Sequence, residues 1–149
     1  MTNADGSRFQ RANFVVRDIE QSLKLYRDVL GFEVAFLKDS PEDSYSYPVF
    51  EIDRSHSLRF TVLSTKEQPR VMALTEVAAP LPKAPHPRRA AIVLEIAEID
   101  AVLAGATSLG CHVYDEEALH THDGRVGREV GIVDFDDNLV VIYNIGGTS

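Results

Sequence analysis

The sequence predicts an α+β fold made of two repeated βαβββ modules. Three observations carry that expectation: β-type runs outnumber helical ones, only two segments hold apolar residues at helical spacing, and the same order of signals occurs twice. Setting Arg11–Val34 beside Ala91–Val113, an offset of 80 residues, aligns strand, acid, Ile, helix, Leu-Gly and strand in both halves. Val16 to Gly31 spans 15 positions and Ile96 to Gly110 spans 14, so the second helix is one residue shorter. Each half is then a supersecondary unit that buries its sheet face and helix against its twin, with Val16 equivalent to Ile96.

In chain order, Ala12–Arg17 is β-rich and runs into Asp18, whose carboxylate suits the start of a helix. Ile19, Leu23, Tyr26, Val29 and Leu30 recur at spacings of three and four, and Gly31 supplies the left-handed residue that ends the helix. Phe32–Leu37 is the next strand, Lys38–Ser46 a loop, and Tyr47–Asp53, Leu58–Ser64 and Arg70–Val77 three further strands. Ala78–Arg89 holds four prolines and reads as a semi-rigid linker. Ala90–Ile96 resumes β structure, Glu98–Leu109 is helical and stops at Gly110, and Cys111–Tyr114, Glu129–Asp134 and Leu139–Ile145 are strands, the last two joined by the turn Phe135–Asn138. The modules accordingly occupy 8–77 and 90–146, with the linker at 78–89, and Met1–Ser7 is expected to be a frayed terminus.

A chain of 149 residues with 44% apolar and 26% charged residues can bury its own core. Its formal charge of −8 opposes the broad phosphate-neutralising surface that nucleic acid requires. Cys111 is the sole cysteine and forms no internal disulfide, which fits a reducing compartment. No apolar run approaches a membrane span, and the opening MTNADGSRFQ lacks a secretory core, so a soluble cytoplasmic protein without a membrane partner is expected. Nucleotide-binding Gly-rich loops, Gly-x-Ser-x-Gly and His-Glu-x-x-His are all missing, which removes the usual support for nucleotide cofactors and serine hydrolysis.

Two segments, VVRDIEQSLKLYRDVLGFEV and GREVGIVDFDDNLVVIYNI, resemble the vicinal oxygen chelate superfamily, which includes glyoxalases, bleomycin-resistance proteins and extradiol dioxygenases. The resemblance runs from about Arg11 to Ile145 and implies paired modules whose sheets curl into an open cup, with helices outside and a small molecule inside. It also implies a homodimer. Members of this kind hold a divalent metal through His and Glu or Gln on four strands, and the matching positions here are Arg11, Ala73, Ala91 and Val141. A guanidinium, two methyl groups and an isopropyl group offer no lone pair to a metal. No metal cofactor is therefore expected. Glu76 lies three positions from Ala73 and so on the opposite strand face, where only a bulge would bring it inward.

Strand alternation sends Arg11 and Asn13 to the cup, together with Val93, Glu95, Val141 and Tyr143 of the second module, and the alignment adds Ala73. Arg11 offers a fixed fork of donors for an oxyanion, Asn13 an amide, and Tyr143 a ring or hydroxyl. Glu95 is placed to pair with Arg11 across the pseudo-twofold axis. His120 and His122, in the loop segment ALHTHDGR, have the spacing of weak metal ligands, although ligand contact by His122 at the cup mouth is the better reading. The expected function is binding of a small organic molecule in a metal-free cup, either sequestering it, as the resemblance to bleomycin-resistance proteins implies, or presenting it elsewhere. The alternative is a lyase, isomerase or dioxygenase that uses atypical metal ligands or metal-free acid–base chemistry from Glu95 and His122.

Overall fold

The structure, a computed structural model, describes residues 6–146. Most of the Met1–Ser7 expectation thus lies outside the described residues. β1 (Ala12–Val16) leads into Asp18, whose Oδ1 accepts the Gln21 N–H at 3.1 Å and opens α1 (Ile19–Tyr26). Gly31, at φ +87°, turns the chain out of the helical segment while the Phe32 N–H returns to the Tyr26 carbonyl at 3.0 Å. β2 (Glu33–Asp39), the short helix α2 (Ser46–Val49), β3 (Leu58–Ser64) and β4 (Met72–Val77) complete the first half. The second half comprises β5 (Ile92–Glu95), α3 (Ile99–Ser108), β6 (His112–Val113), β7 (Glu117–His120), β8 (Val126–Val133) and β9 (Leu139–Asn144).

The first sheet has the order β1-β4-β3-β2 and the second β5-β9-β8-β6, with β7 also paired to β8. In each, the opening and closing strands pair in parallel and the rest are antiparallel. A parallel pair needs a long crossover, and here the helix and middle strands supply it. The fold class is the α+β arrangement the sequence pattern requires.

The helices depart from expectation in length, α1 stopping at Tyr26 and α3 being the longer of the two, and two further segments depart in type. Tyr47–Asp53 is not a strand but holds α2, because Pro48 would remove a ladder donor from a strand yet costs nothing in a helix's first turn. Tyr47 packs against Leu58 and Val77 and donates its hydroxyl to the His56 carbonyl at 2.6 Å. The segment around His120 is not wholly a loop: Glu117–His120 forms β7, which returns through a turn at Thr121–Arg125 to β8. Asp and Gly in that segment mark the turn alone.

One hydrophobic core joins both halves. Ile19, Leu23, Tyr26 and Leu74 from the first meet Ile99, Val102, Ile132 and Ile142 from the second. A Cβ on Gly105 of α3 would stand 3.0 Å from both Val29 methyl groups, so the helical segments touch where the side chain is absent. At one end of this core Asp134 is buried and accepts the Tyr26 hydroxyl at 2.8 Å, the Asp136 and Asn138 backbone N–H groups at 2.8 Å and Asn138 Nδ2 at 3.0 Å. Asn138 Nδ2 also donates to the Val15 carbonyl at 3.2 Å, and Arg17 pairs with Asp136 at 2.7 Å.

Candidate functional site

The sheet registers define which side chains share the face opposite the helices. On the first sheet one row runs Asn13, Ala73, Val62, Phe36 across β1, β4, β3 and β2, and the next runs Val15, Thr75, Phe60, Lys38. On the second sheet one row is Val93, Val141, Gly131 and the next is Glu95, Tyr143, Glu129, Glu117. Alternation puts the remaining positions, among them Val16, Leu74, Ile132 and Ile142, into the shared core.

Arg11, just before β1, is exposed and lines a groove with Arg8, Phe36, Val62, Pro69 and Arg70. Asn13 is half-buried; its Oδ1 accepts the Thr75 hydroxyl at 3.0 Å, while its Nδ2 is buried with no protein partner. Ala73 beside it is buried. Val93 is 62% exposed and lines a wider groove with Glu95 and Tyr143, closed on the far side by Gly31 and the Thr65–Gln68 turn. Val141 lies in a third groove, under His86, Pro87 and Arg88 of the linker and beside Tyr114. His122 is exposed in the β7–β8 turn and lines none of these grooves.

The structure therefore brings Val93, Glu95 and Tyr143 into one groove and sets Asn13 beside Ala73 on the other sheet, while Arg11 lines a separate groove with Phe36 and Val62. Among the described residues Arg11 forms no ion pair, so the pairing with Glu95 is not made within one chain. The reason is the shared core: the helix-covered faces of the two sheets pack toward each other and leave the ligand faces apart.

The metal test is chemical. Arg11, Ala73, Ala91 and Val141 carry no atom that coordinates a cation, and Glu76 stays on the helix side as alternation requires. There Glu76 accepts the Ile19 N–H at 2.7 Å and pairs with Arg59 at 2.7 Å. With Asp18 and Glu20 it forms an acidic cluster at the start of α1, and Arg59 supplies its counter-charge by also binding Glu20 at 2.5 Å. Burial pushes the Cys111 thiol above its ordinary value, helped by the Asp134 carboxylate, which opposes a nucleophilic thiolate.

Sequence reasoning missed Arg8, Arg70 and Phe36. Arg8 stands next to the terminus read as frayed, and Arg70 precedes β4 at φ +52° with its N–H held by Ser64 Oγ at 2.8 Å. The alternation of β2 marks Phe36, but a bulge between Val34 and Phe36 shifts which residues face the groove. No helix among the described residues is long and apolar enough to cross a membrane.

The sequence model of the Glyoxalase/Bleomycin resistance protein/Dioxygenase superfamily matches residues 8–142. A glyoxalase family protein from Bacillus cereus is similar in structure at a TM-score of 0.74 and 14% identity, with 99% of each chain covered. The trypanothione-dependent glyoxalase I of Leishmania major gives 0.62 at 18% identity, covering 93% of this chain and 87% of its own. A fosfomycin resistance protein from Mesorhizobium loti gives 0.57 at 15% identity, covering 99% and 95%. These likenesses establish the fold. No curated protein sequence matches the chain.

Proposed function

Since this chain belongs to the glyoxalase, bleomycin-resistance and dioxygenase superfamily, we propose that it binds an organic small molecule in its cup without the superfamily's metal. One observation carries the reading: the four places that would hold the ion bear Arg11, Ala73, Ala91 and Val141. What remains is an apolar face with a few convergent polar groups, the usual make-up of a ligand site. Val62, Ala73 and Phe36 form the wall beside Arg11, and the unpartnered Asn13 Nδ2 is a donor awaiting an acceptor.

The cup is completed by a second copy. With both helix faces spent on one core, the two opposite sheet faces of a chain stand open, and on them Phe36 is 39% and Val93 62% exposed. Lys38 lies on the first face, whereas Glu95, Glu129 and Glu117 lie on the second, so the first face of one protomer complements the second face of its partner.

A second reading has one supporting observation. Glu95, Tyr143, Glu129 and Glu117 stand in one row on adjacent strands, an arrangement in which carboxylates act as general acids and bases. Thermal-shift screening of small organic molecules, run before and after exhaustive chelation, tests the metal-free reading, and turnover of a stabilising molecule that is lost in Glu95→Gln is the result that would favour the second. Equal stabilisation in both states is the expected result. Stabilisation that needs added Fe, Mn, Ni or Zn would overturn the metal-free reading.

A further inference from the structure

The groove in front of β1 carries more positive charge than a single anchoring arginine explains. Arg8, Arg11 and Arg70 line a cavity of about 290 Å³ whose remaining wall is Gln10, Phe36, Val62 and Pro69. Among the described residues none of the three guanidinium groups forms an ion pair, although eight other pairs are made. Unpaired arginines held side by side repel one another, and in a chain of net charge −8 acidic partners are abundant. Lys38 adds to the same field, its Nζ 5.6 Å from the Phe36 ring centre and 5.4 Å from that of Phe60. Backbone geometry holds the cluster in place: the Arg70 N–H is bonded to Ser64 Oγ, and the Ala12 N–H is bonded to the Val71 carbonyl at 3.0 Å, tying Arg11 to the segment that bears Arg70.

We propose that this groove binds a small organic dianion whose charged end is gripped by Arg8, Arg11 and Arg70 and whose apolar body lies on Phe36 and Val62. The inference rests on the metal-free reading of the cup and specifies its ligand class. A lone carboxylate needs one guanidinium fork; two negative charges spread over several oxygens use the donors of three. The small cavity and the acidic surface beyond it exclude an extended polyanion. A phosphate monoester and a dicarboxylate share this chemistry.

The test is calorimetric titration of the full chain with phenyl phosphate, benzylmalonate and benzoate at low and at physiological ionic strength. Both dianions are expected to bind more tightly than benzoate and to weaken as salt rises, and the tighter of the two identifies the source of the charge. Arg8→Ala, Arg11→Ala and Arg70→Ala each weaken the dianion by about tenfold or more, the worth of one charge-assisted contact. Arg125→Ala, which removes the same charge from the β7–β8 turn, leaves affinity within about twofold, since exposed charges act weakly at a distance. Unfolding midpoints of all variants, compared with wild type, verify that the exposed substitutions leave the fold intact. Absence of binding, equal affinity for benzoate and the dianions, or unchanged affinity in the triple variant would overturn the assignment. The titrations repeated after chelation keep the two ideas apart: loss of binding on chelation with arginine dependence retained when metal is restored contradicts the metal-free reading and leaves the groove standing.

Discussion

At the scale of single residues, the buried Asp134 is the clearest determinant of how the two halves meet. Burial holds its carboxyl above the ordinary value of 3.8, while the donors from Tyr26, Asn138 and Asp136 oppose that shift. The Tyr26 hydroxyl is held well above its own ordinary value, chiefly by burial and then by the Asp134 charge, so it stays a donor. In the window above pH 3.8 the folded state retains a proton that the unfolded chain has lost, and stability falls as pH rises through the raised value. Asp134→Asn removes that titration. Urea unfolding of the two proteins from pH 3.8 to neutrality should show wild type losing stability relative to the variant as pH increases; parallel profiles would contradict it. Tyr26→Phe strips one donor from a buried carboxylate that keeps three others, and a cost of about 1–3 kcal/mol is expected in the same measurement.

At the scale of elements, the linker at 78–89 is held by the β8–β9 turn. Asp137 accepts the Ala84 N–H at 2.7 Å and pairs with Arg88 at 3.0 Å, and these two contacts keep its carboxyl below the ordinary range. Asp137 stands at φ +73°, a conformation Asn also tolerates, so Asp137→Asn tests the charge without disturbing the turn. Trypsin should cleave after Lys83, Arg88 or Arg89 faster in the variant, and an unchanged cleavage rate would show that the linker is held by other means. Much of this level was legible in the sequence: Asp18 marked the start of the first helix, Gly31 the end of the turn that follows it rather than of the helix itself, which stops at Tyr26, and the repeat order anticipated two sheets of matching topology. The errors have physical causes. Tyr47–Asp53 was β-rich by residue type, but Pro48 and the docking of Tyr47 on Leu58 favour a helical turn. Glu117–His120 pairs with β8 because β8 extends beyond the partner it has in β6, and a strand's length beyond its neighbour leaves no local signal. For the candidate site, alternation put Val93 and Glu95 on the one face where they share a groove, yet Arg11 lies before the strand and outside its register, and the separation of the two faces depends on how helices pack, which no strand pattern encodes.

At the scale of the whole molecule, one core serves both halves and leaves the opposite face of each sheet open to solvent, Lys38 on the first and Glu95, Glu129 and Glu117 on the second. A homodimer that joins the first face of one protomer to the second face of its partner is the expected assembly, and it weakens with salt because its complementarity is ionic at the rim. Light scattering across concentration and ionic strength checks this, and a monomer at every concentration would remove it. In the metal-free cup proposed above, a guanidinium and apolar side chains stand at the positions where the superfamily resemblance puts an ion. Elemental analysis of the protein, purified without chelator from cells supplied with Fe, Mn, Ni and Zn, tests that proposal most directly. Metal far below one ion per chain is expected; near-stoichiometric content of any of the four, resistant to dialysis, would rule out the metal-free cup.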